Sequence, residues 1–175
     1  MEDNSSPGDS RAVFSITNLL NEQIGKLSLT KPDLVKTVSI DGVDEKNDIT
    51  GSEVDWEEIL KIFYEIEISS PRMAGIYNLQ EYDSGIVHVS QYVRKPGEKA
   101  KVEFLRIEEY PDGSMNISSK VVQNNPIYSS SSYAKILLVN TERSGLLIQR
   151  FQLEGYQKII ARDSVQYTID GVLNN

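Results

Sequence analysis

The chain has 175 residues, 39% of them hydrophobic and 25% charged, with a net charge of −8 and no cysteine. That is one domain's worth of ordinary globular sequence, long enough to bury roughly two-thirds of the surface its unfolded form exposes. Without thiols, disulfides, thiolate catalysis and cysteine-ligated metals are excluded; with 15 acids against 6 bases over residues 1–70, the clustered Lys and Arg that nucleic-acid phosphates need are missing.

Residues 1–11 read as a flexible tail, and residues 12–175 as a single domain. EDNSSPGDS follows Met1 directly, with no apolar stretch of the kind a signal peptide requires. It suits a linker left after a leader has been cut away, and equally a cytosolic start with a polar tail. No apolar run approaches the roughly 18 residues of a membrane span. Ile16, Leu19, Leu20, Ile24 and Leu27 then recur at spacings of three and four, which predicts a helix over 12–25. Ser15 or Ser10 supplies its cap, and Gly25 lies near its end.

Beyond Pro32, Val35, Val38 and Ile40 predict a short strand before Asp41-Gly42. DGVDEKNDITGS, residues 41–52, reads as an acidic loop. A calcium loop fails there in both registers: from Asp41 the sixth position is Lys46 rather than Gly, and from Asp44 the third is Lys46 rather than an oxygen ligand. The second helix is predicted over 53–67. Ser52 and Asp55 resemble a capping box, and Trp56, Ile59, Leu60 and Phe63 form one apolar stripe. At that spacing the single tryptophan belongs to a core. Ser69-Ser70-Pro71 ends the helix.

After Pro71 the apolar period changes to two. Runs at 76–82 and 85–93 precede a hairpin over 101–124, KVEFLRIEEYPDGSMNISSKVVQN, whose Pro111-Asp112-Gly113 has the residues a tight reversal demands. Further runs lie at 133–139, 146–153, 156–161 and 165–169, the middle two separated by Glu154-Gly155. Short connections leave no room for parallel crossovers, so successive strands are antiparallel. The expected fold is α+β: two N-terminal helices packed on a strongly bent antiparallel β-meander of about seven to eight strands, an incomplete barrel, lipocalin- or LolA-like in outline. The second helix lies across its concave face.

Chemistry is scarce along the chain. His88 is the only histidine and alternates with Val87 and Val89, as a surface or cross-strand residue does. Glu108 and Glu109 are adjacent in a strand, so their side chains diverge. No glycine-rich phosphate loop occurs, and Ser129–Ser132 reads as a polar loop or edge-strand start. Asn4-Ser5-Ser6 and Asn116-Ile117-Ser118 match a glycosylation pattern that matters only on a eukaryotic secretory route. No catalytic, cofactor-binding or metal-ligating residue is nominated, and no cofactor. Nine of the fourteen aromatics are tyrosine, and a tyrosine-rich bent sheet can line a groove for an amphipathic ligand.

At DWEEILKIFYEIEISSPRMAGIYNL (55–79) and GLLIQRFQLEGYQKIIARDSVQYTIDGVLN (145–174), the chain is similar to uncharacterised exported lipoproteins of Bacteroidetes-type bacteria. Those carry a D-W-E-x-E-like helix, an I-x-K-P-like break and a terminal G-Y-x-I-x-x-x-Q-x-V-like strand pair. Here the break reads Ile68-Ser69-Ser70-Pro71, without the lysine. The end reads Gly145-Leu146-Leu147-Ile148 followed by Gly155-Tyr156-Gln157-Lys158. The resemblance spans residues 14–172 and brings no activity with it. It implies an exported protein, periplasmic or outer-membrane-anchored, held by a lipid-modified cysteine just before Glu2 that this sequence does not carry; a cytoplasmic location is the alternative. The expected function is a non-enzymatic cell-envelope protein that binds a ligand, lipid or protein partner on its curved sheet. The partner is an unknown ligand or envelope protein, with no nucleic acid and no membrane contact beyond the lipid anchor. The alternatives are a hydrolase or lyase whose carboxylates converge only in the fold, and a structural assembly component.

Overall fold

The computed structural model describes residues 13–174; the tail over 1–11 and the Asn4-Ser5-Ser6 pattern lie outside them. The first helix, α1 (Ile16–Thr30), is capped by Ser15, whose hydroxyl accepts from the Asn18 N–H at 3.2 Å. It begins and ends later than the predicted 12–25. Gly25 sits within it, because the buried stripe of Ile16, Leu20, Gln23 and Leu27 runs one turn further, to a left-handed Lys31 (φ 47°). The second helix departs more from expectation. Only Trp56–Leu60 (α2) is α-helical, and its cap is Asp55, not Ser52. Residues Lys61–Ile66 tighten into a 3₁₀ helix. In that winding residues three apart eclipse, so Leu60, Phe63 and Ile66 line up on one edge and all three are buried.

A single carboxylate ties these helices together. Glu67, just past the 3₁₀ segment, accepts from the Thr17 N–H at 2.7 Å and the Ser15 hydroxyl at 3.1 Å with one oxygen, and from the Ser69 N–H at 2.5 Å with the other. It thereby occupies the N-terminus of α1, where unpaired N–H groups and the helix dipole favour an anion. Burial pushes the carboxyl up, but the backbone bonds from Thr17 and Ser69 outweigh it and hold Glu67 below its ordinary value. A depressed carboxyl contributes stability that is present above its unfolded pKa and lost as pH falls through the folded one. Glu67→Gln is therefore expected to cost about 1–2 kcal/mol near neutrality, discounted for partial exposure. The gap to the parent chain should close as the parent's own Glu67 protonates, measured by urea denaturation across an acid pH series.

Among the described residues nine strands form one open sheet: β1 (Asp33–Ile40), β2 (Val43–Ile49), β3 (Tyr77–Ser84), β4 (Val87–Arg94), β5 (Val102–Glu109), β6 (Met115–Asn124), β7 (Tyr128–Thr141), β8 (Gly145–Ile159) and β9 (Val165–Asn174). Their order is β2-β1-β9-β8-β7-β6-β5-β4-β3, every neighbouring pair antiparallel. The architecture is the expected α+β, with nine strands in place of seven to eight, and the expected strand list changes at two points. The acidic stretch predicted as a loop is the edge strand β2. Asp41 (φ 50°) and Gly42 (φ 82°) make a two-residue hairpin turn with positive φ at both positions, closed by the Ile40–Val43 pair. In the other direction, the runs at 146–153 and 156–161 are one strand, β8, passing straight through Glu154-Gly155. Gly155 serves close approach there rather than a turn: a Cβ on it would stand 2.9 Å from the Tyr167 hydroxyl and 2.5 Å from the Ser131 carbonyl oxygen.

One face of the sheet carries the core. Cross-strand partners Leu105–Ser119, Ile117–Ile136, Ile136–Phe151 and Phe151–Gly171 share that face, and Trp56, Leu60 and Phe63 pack into the same buried cluster. The rings of Phe63 and Phe151 meet edge to face, centroids 5.7 Å apart. Phe151 lies flat over Gly171, where an added Cβ would stand 2.0 Å from its Cζ. Where β9 stops short of the start of β8, α1 takes over its pairing. The fully buried Gln23 donates from Nε2 to the Leu146 carbonyl at 3.1 Å and accepts from the Ile148 N–H at 2.9 Å. The face beneath the helices is thus filled, and the Trp56 indole N–H within it has no hydrogen-bond partner among the described residues.

Candidate functional site

With its centre filled, the helix side of the sheet leaves space at its margin. A cleft of about 260 Å³ opens where the chain enters β3. Its floor is Ile68, buried; one wall is Pro71, Met73 and Ala74, and the other is Tyr77, Leu79 and Tyr92, with Val13 at the rim. The sequence dictates these walls locally. Ser70 precedes a proline and is extended (φ −63°, ψ 148°), Pro71 starts a short 3₁₀ turn (Pro71–Met73), and Gly75 (φ 79°) reverses the chain into β3. Both tyrosines are fixed by their hydroxyls. Tyr77 donates to the Val102 carbonyl at 3.0 Å, and Tyr92 accepts from the Phe14 N–H at 3.3 Å. Burial raises Tyr77 above its ordinary value, with Arg94 opposing, so the phenol is neutral.

Among its described lining residues there is no carboxylate, imidazole or amine. What the cleft offers is apolar contact with two oriented rings, suited to an aliphatic or aromatic group rather than to proton transfer. Two wider depressions, of about 840 and 820 Å³, are shallow and rimmed by charged groups. The first holds Asp55, Glu57 and Glu58; Asp55 caps α2 and Glu58 pairs with Lys61, so two of the three are engaged. Among the described residues no three of His, Asp or Glu converge as metal ligands. No helix of the described chain is long and apolar enough to cross a membrane.

The residues singled out from sequence are scattered. Trp56 is core, 3% exposed. His88 lies on β4 at the sheet margin, its Nδ1 2.9 Å from Asp83 on β3; that hydrogen bond raises it above its ordinary value, and Glu109 and Glu81 add to the field. Glu108 and Glu109 do point apart: Glu108, on the opposite face, receives Arg106 and Asn116, while Arg106 also reaches the Tyr82 hydroxyl at 2.8 Å. Ser129–Ser132 are ladder residues of β7, paired on both sides. Asn116 sits in β6 with its amide on Glu108. Of the tyrosines, only Tyr77 and Tyr92 meet at the cleft, so the tyrosine-lined groove is replaced by a two-tyrosine pocket.

The open edge beside that pocket completes the site. Among the described residues β3 pairs with β4 alone, and residues 78–84 are exposed. The Lys95 N–H bonds the Ile76 carbonyl at 2.9 Å, and ladder bonds alternate along an antiparallel pair. The bonded residues of β3 are therefore Asn78, Gln80, Tyr82 and Ser84. The N–H and C=O groups of Tyr77, Leu79, Glu81 and Asp83 face outward. The far edge of the sheet is treated differently: by the same parity its outward residues are Asp44, Lys46 and Asp48, all charged, a device that discourages pairing. β3 presents Tyr77 and a 41% exposed Leu79 ahead of Glu81 and Asp83. Comparison with protein-family models, with curated proteins and with solved structures finds no match.

Proposed function

We propose that this is a non-enzymatic binding protein whose ligand places an apolar group in the cleft between Ile68, Met73, Tyr77 and Leu79. The observation that supports it is an uncharged apolar pocket with an exposed leucine at its lip, beside carboxylates already engaged in hydrogen bonds. The reading extends to a cell-envelope setting, periplasmic or outer-membrane-anchored, which rests on the likeness of residues 55–79 and 145–174 to exported lipoproteins. A sheet of nine strands twisting by about 20–25° per neighbour turns through roughly half a circle, which favours the incomplete-barrel outline.

Enclosing one apolar side chain contributes about 1.5–3 kcal/mol, so the pocket is an anchor and not a whole binding site. Titration with the neutral fluorophore Nile red is expected to give saturable emission enhancement. Leu79→Asp should weaken it about tenfold or more without changing the melting temperature, because an exposed edge position carries little of the core. Enhancement that survives Leu79→Asp undiminished would sink the assignment. A carboxylate pair later found acting on a substrate would favour the hydrolase alternative.

A further inference from the structure

We infer that Glu67 is an acid-sensitive latch on this cleft: its carboxylate ties the wall after Ile68 to the start of α1, and its protonation frees that wall and lets the ligand go. The inference concerns regulation of the cleft and rests on the binding reading above. Three contacts carry it. One carboxylate oxygen accepts from the Ser69 N–H at 2.5 Å, and Ser69 lines the cleft between the buried Ile68 and Pro71. The other oxygen accepts from the Thr17 N–H and the Ser15 hydroxyl, which fixes the first turn of α1. The residues leading into that turn border the cleft themselves: Val13 forms its rim, and the Phe14 N–H donates to the Tyr92 hydroxyl on the far wall. The connection from the first wall to Tyr92 through the start of α1 therefore runs through one side chain.

Only the ionised carboxylate serves both sides. It is acceptor alone, and all three of its neighbours donate. Protonation turns one oxygen into a donor facing another donor, and removes the charge that strengthens the remaining bonds. The helix survives this, because the Ser15 hydroxyl still accepts from the Asn18 N–H; what loosens is the junction. Burial pushes Glu67 up, and the bonds from Thr17 and Ser69 hold it below its ordinary value. The closed junction is thus favoured at neutral pH and lost as pH falls through the depressed value. Charged groups on the surrounding elements are engaged with one another: Lys26 with Glu22, Lys61 with Glu58, Lys101 with Glu65, and Glu103 with Arg94 and Lys120. Arg72, in the wall itself, keeps its charge across the whole range. His88, on the cleft side of β4, is raised by its bond to Asp83 and titrates in a range well separated from a depressed carboxyl.

The test is Nile red affinity across an acid pH series on the intact protein, with Trp56 emission verifying the fold at each pH. Parent affinity is expected to fall about tenfold as Glu67 protonates, the loss that follows when the closed cleft becomes a minority of about one in ten. Glu67→Gln presents an acceptor to one side and an amide donor to the other, so it should bind at the weakened level throughout, without the parent's acid step. Hydrogen exchange supplies a readout that needs no ligand and no variant: protection at the Thr17 and Ser69 amides should fall together in the parent as pH drops. Parent affinity that stays constant in acid while the fold persists overturns the latch. So does a Glu67→Gln protein that keeps the parent's acid step, or an acid step with both amides still protected. If binding responds to Leu79→Asp but not to pH, the cleft stands and the latch alone falls. If Nile red fails to bind, or binds Leu79→Asp undiminished, the cleft reading falls and the latch with it.

Discussion

Replacing Gly171 by alanine is expected to destabilise the protein by about 3 kcal/mol, at the upper end of what overpacking a core costs. The cause is geometric. The ring of Phe151 lies so close over Gly171 that an added Cβ would stand 2.0, 2.4 and 2.5 Å from three of its carbons, well inside contact distance. The ring has nowhere to retreat. It is 2% exposed and its edge meets Phe63 on the other side, so relief at Gly171 displaces the 3₁₀ segment that carries Phe63. Urea unfolding followed by the emission of the single, buried Trp56 measures the loss. The diagnostic arm is the double variant Gly171→Ala with Phe151→Leu. Because the smaller side chain makes room for the methyl, the two changes should cost about 1–2 kcal/mol less together than the sum of each alone. Strict additivity would mean that the ring and the glycine do not oppose each other.

Gln23→Leu should cost about 2 kcal/mol although it replaces one buried side chain by another of similar size. Its amide stands in for a missing strand residue, accepting from the Ile148 N–H and donating to the Leu146 carbonyl. Leucine leaves the Ile148 N–H buried with nothing to bond. The Leu146 carbonyl fares better, because Lys26 Nζ also donates to it at 3.1 Å. Lys26→Met alone should therefore change stability by no more than about 0.5 kcal/mol, yet deepen the loss when added to Gln23→Leu. Amide hydrogen exchange at Ile148 reads the same event locally: its protection should fall in Gln23→Leu and remain in Lys26→Met.

These two sites also show which parts of the molecule the sequence discloses. The central hairpin is legible because its determinants are local. Pro111-Asp112-Gly113 reverses the chain, with Gly113 at φ 81°, and the flanking runs become β5 and β6 almost at their predicted limits. The apolar stripes of both helices are legible for the same reason. β2 is not, since an edge strand open to water needs no apolar alternation and Asp44, Glu45, Lys46 and Asp48 look like loop. Gly155 misleads because glycine marks both turns and close approaches, and only Tyr167, from the next strand, says which. Gln23 reads as a polar interruption of the first helix's stripe; its partner lies more than a hundred positions away in β8. The cleft is hidden for the same reason. Ile68, Met73, Leu79 and Tyr92 are unremarkable singly and form a pocket only once β4 is laid beside β3.

The place of the first hairpin in the sheet has a kinetic consequence. β3 to β9 form a meander in which each strand pairs with the next, so these pairings can assemble while the chain is still emerging. β1 is different: beyond its hairpin with β2, its ladder runs from Asp33–Asn174 to Ile40–Tyr167, onto β9, the last of the described strands. Until β9 arrives, Leu34 and the face of α1 have no completed core to enter, and closing that long loop is the slow, entropically opposed step of a high-contact-order fold. Until then β1 has only β2 beside it, and its other edge stays open, a place where a partly folded chain is exposed to wrong pairing.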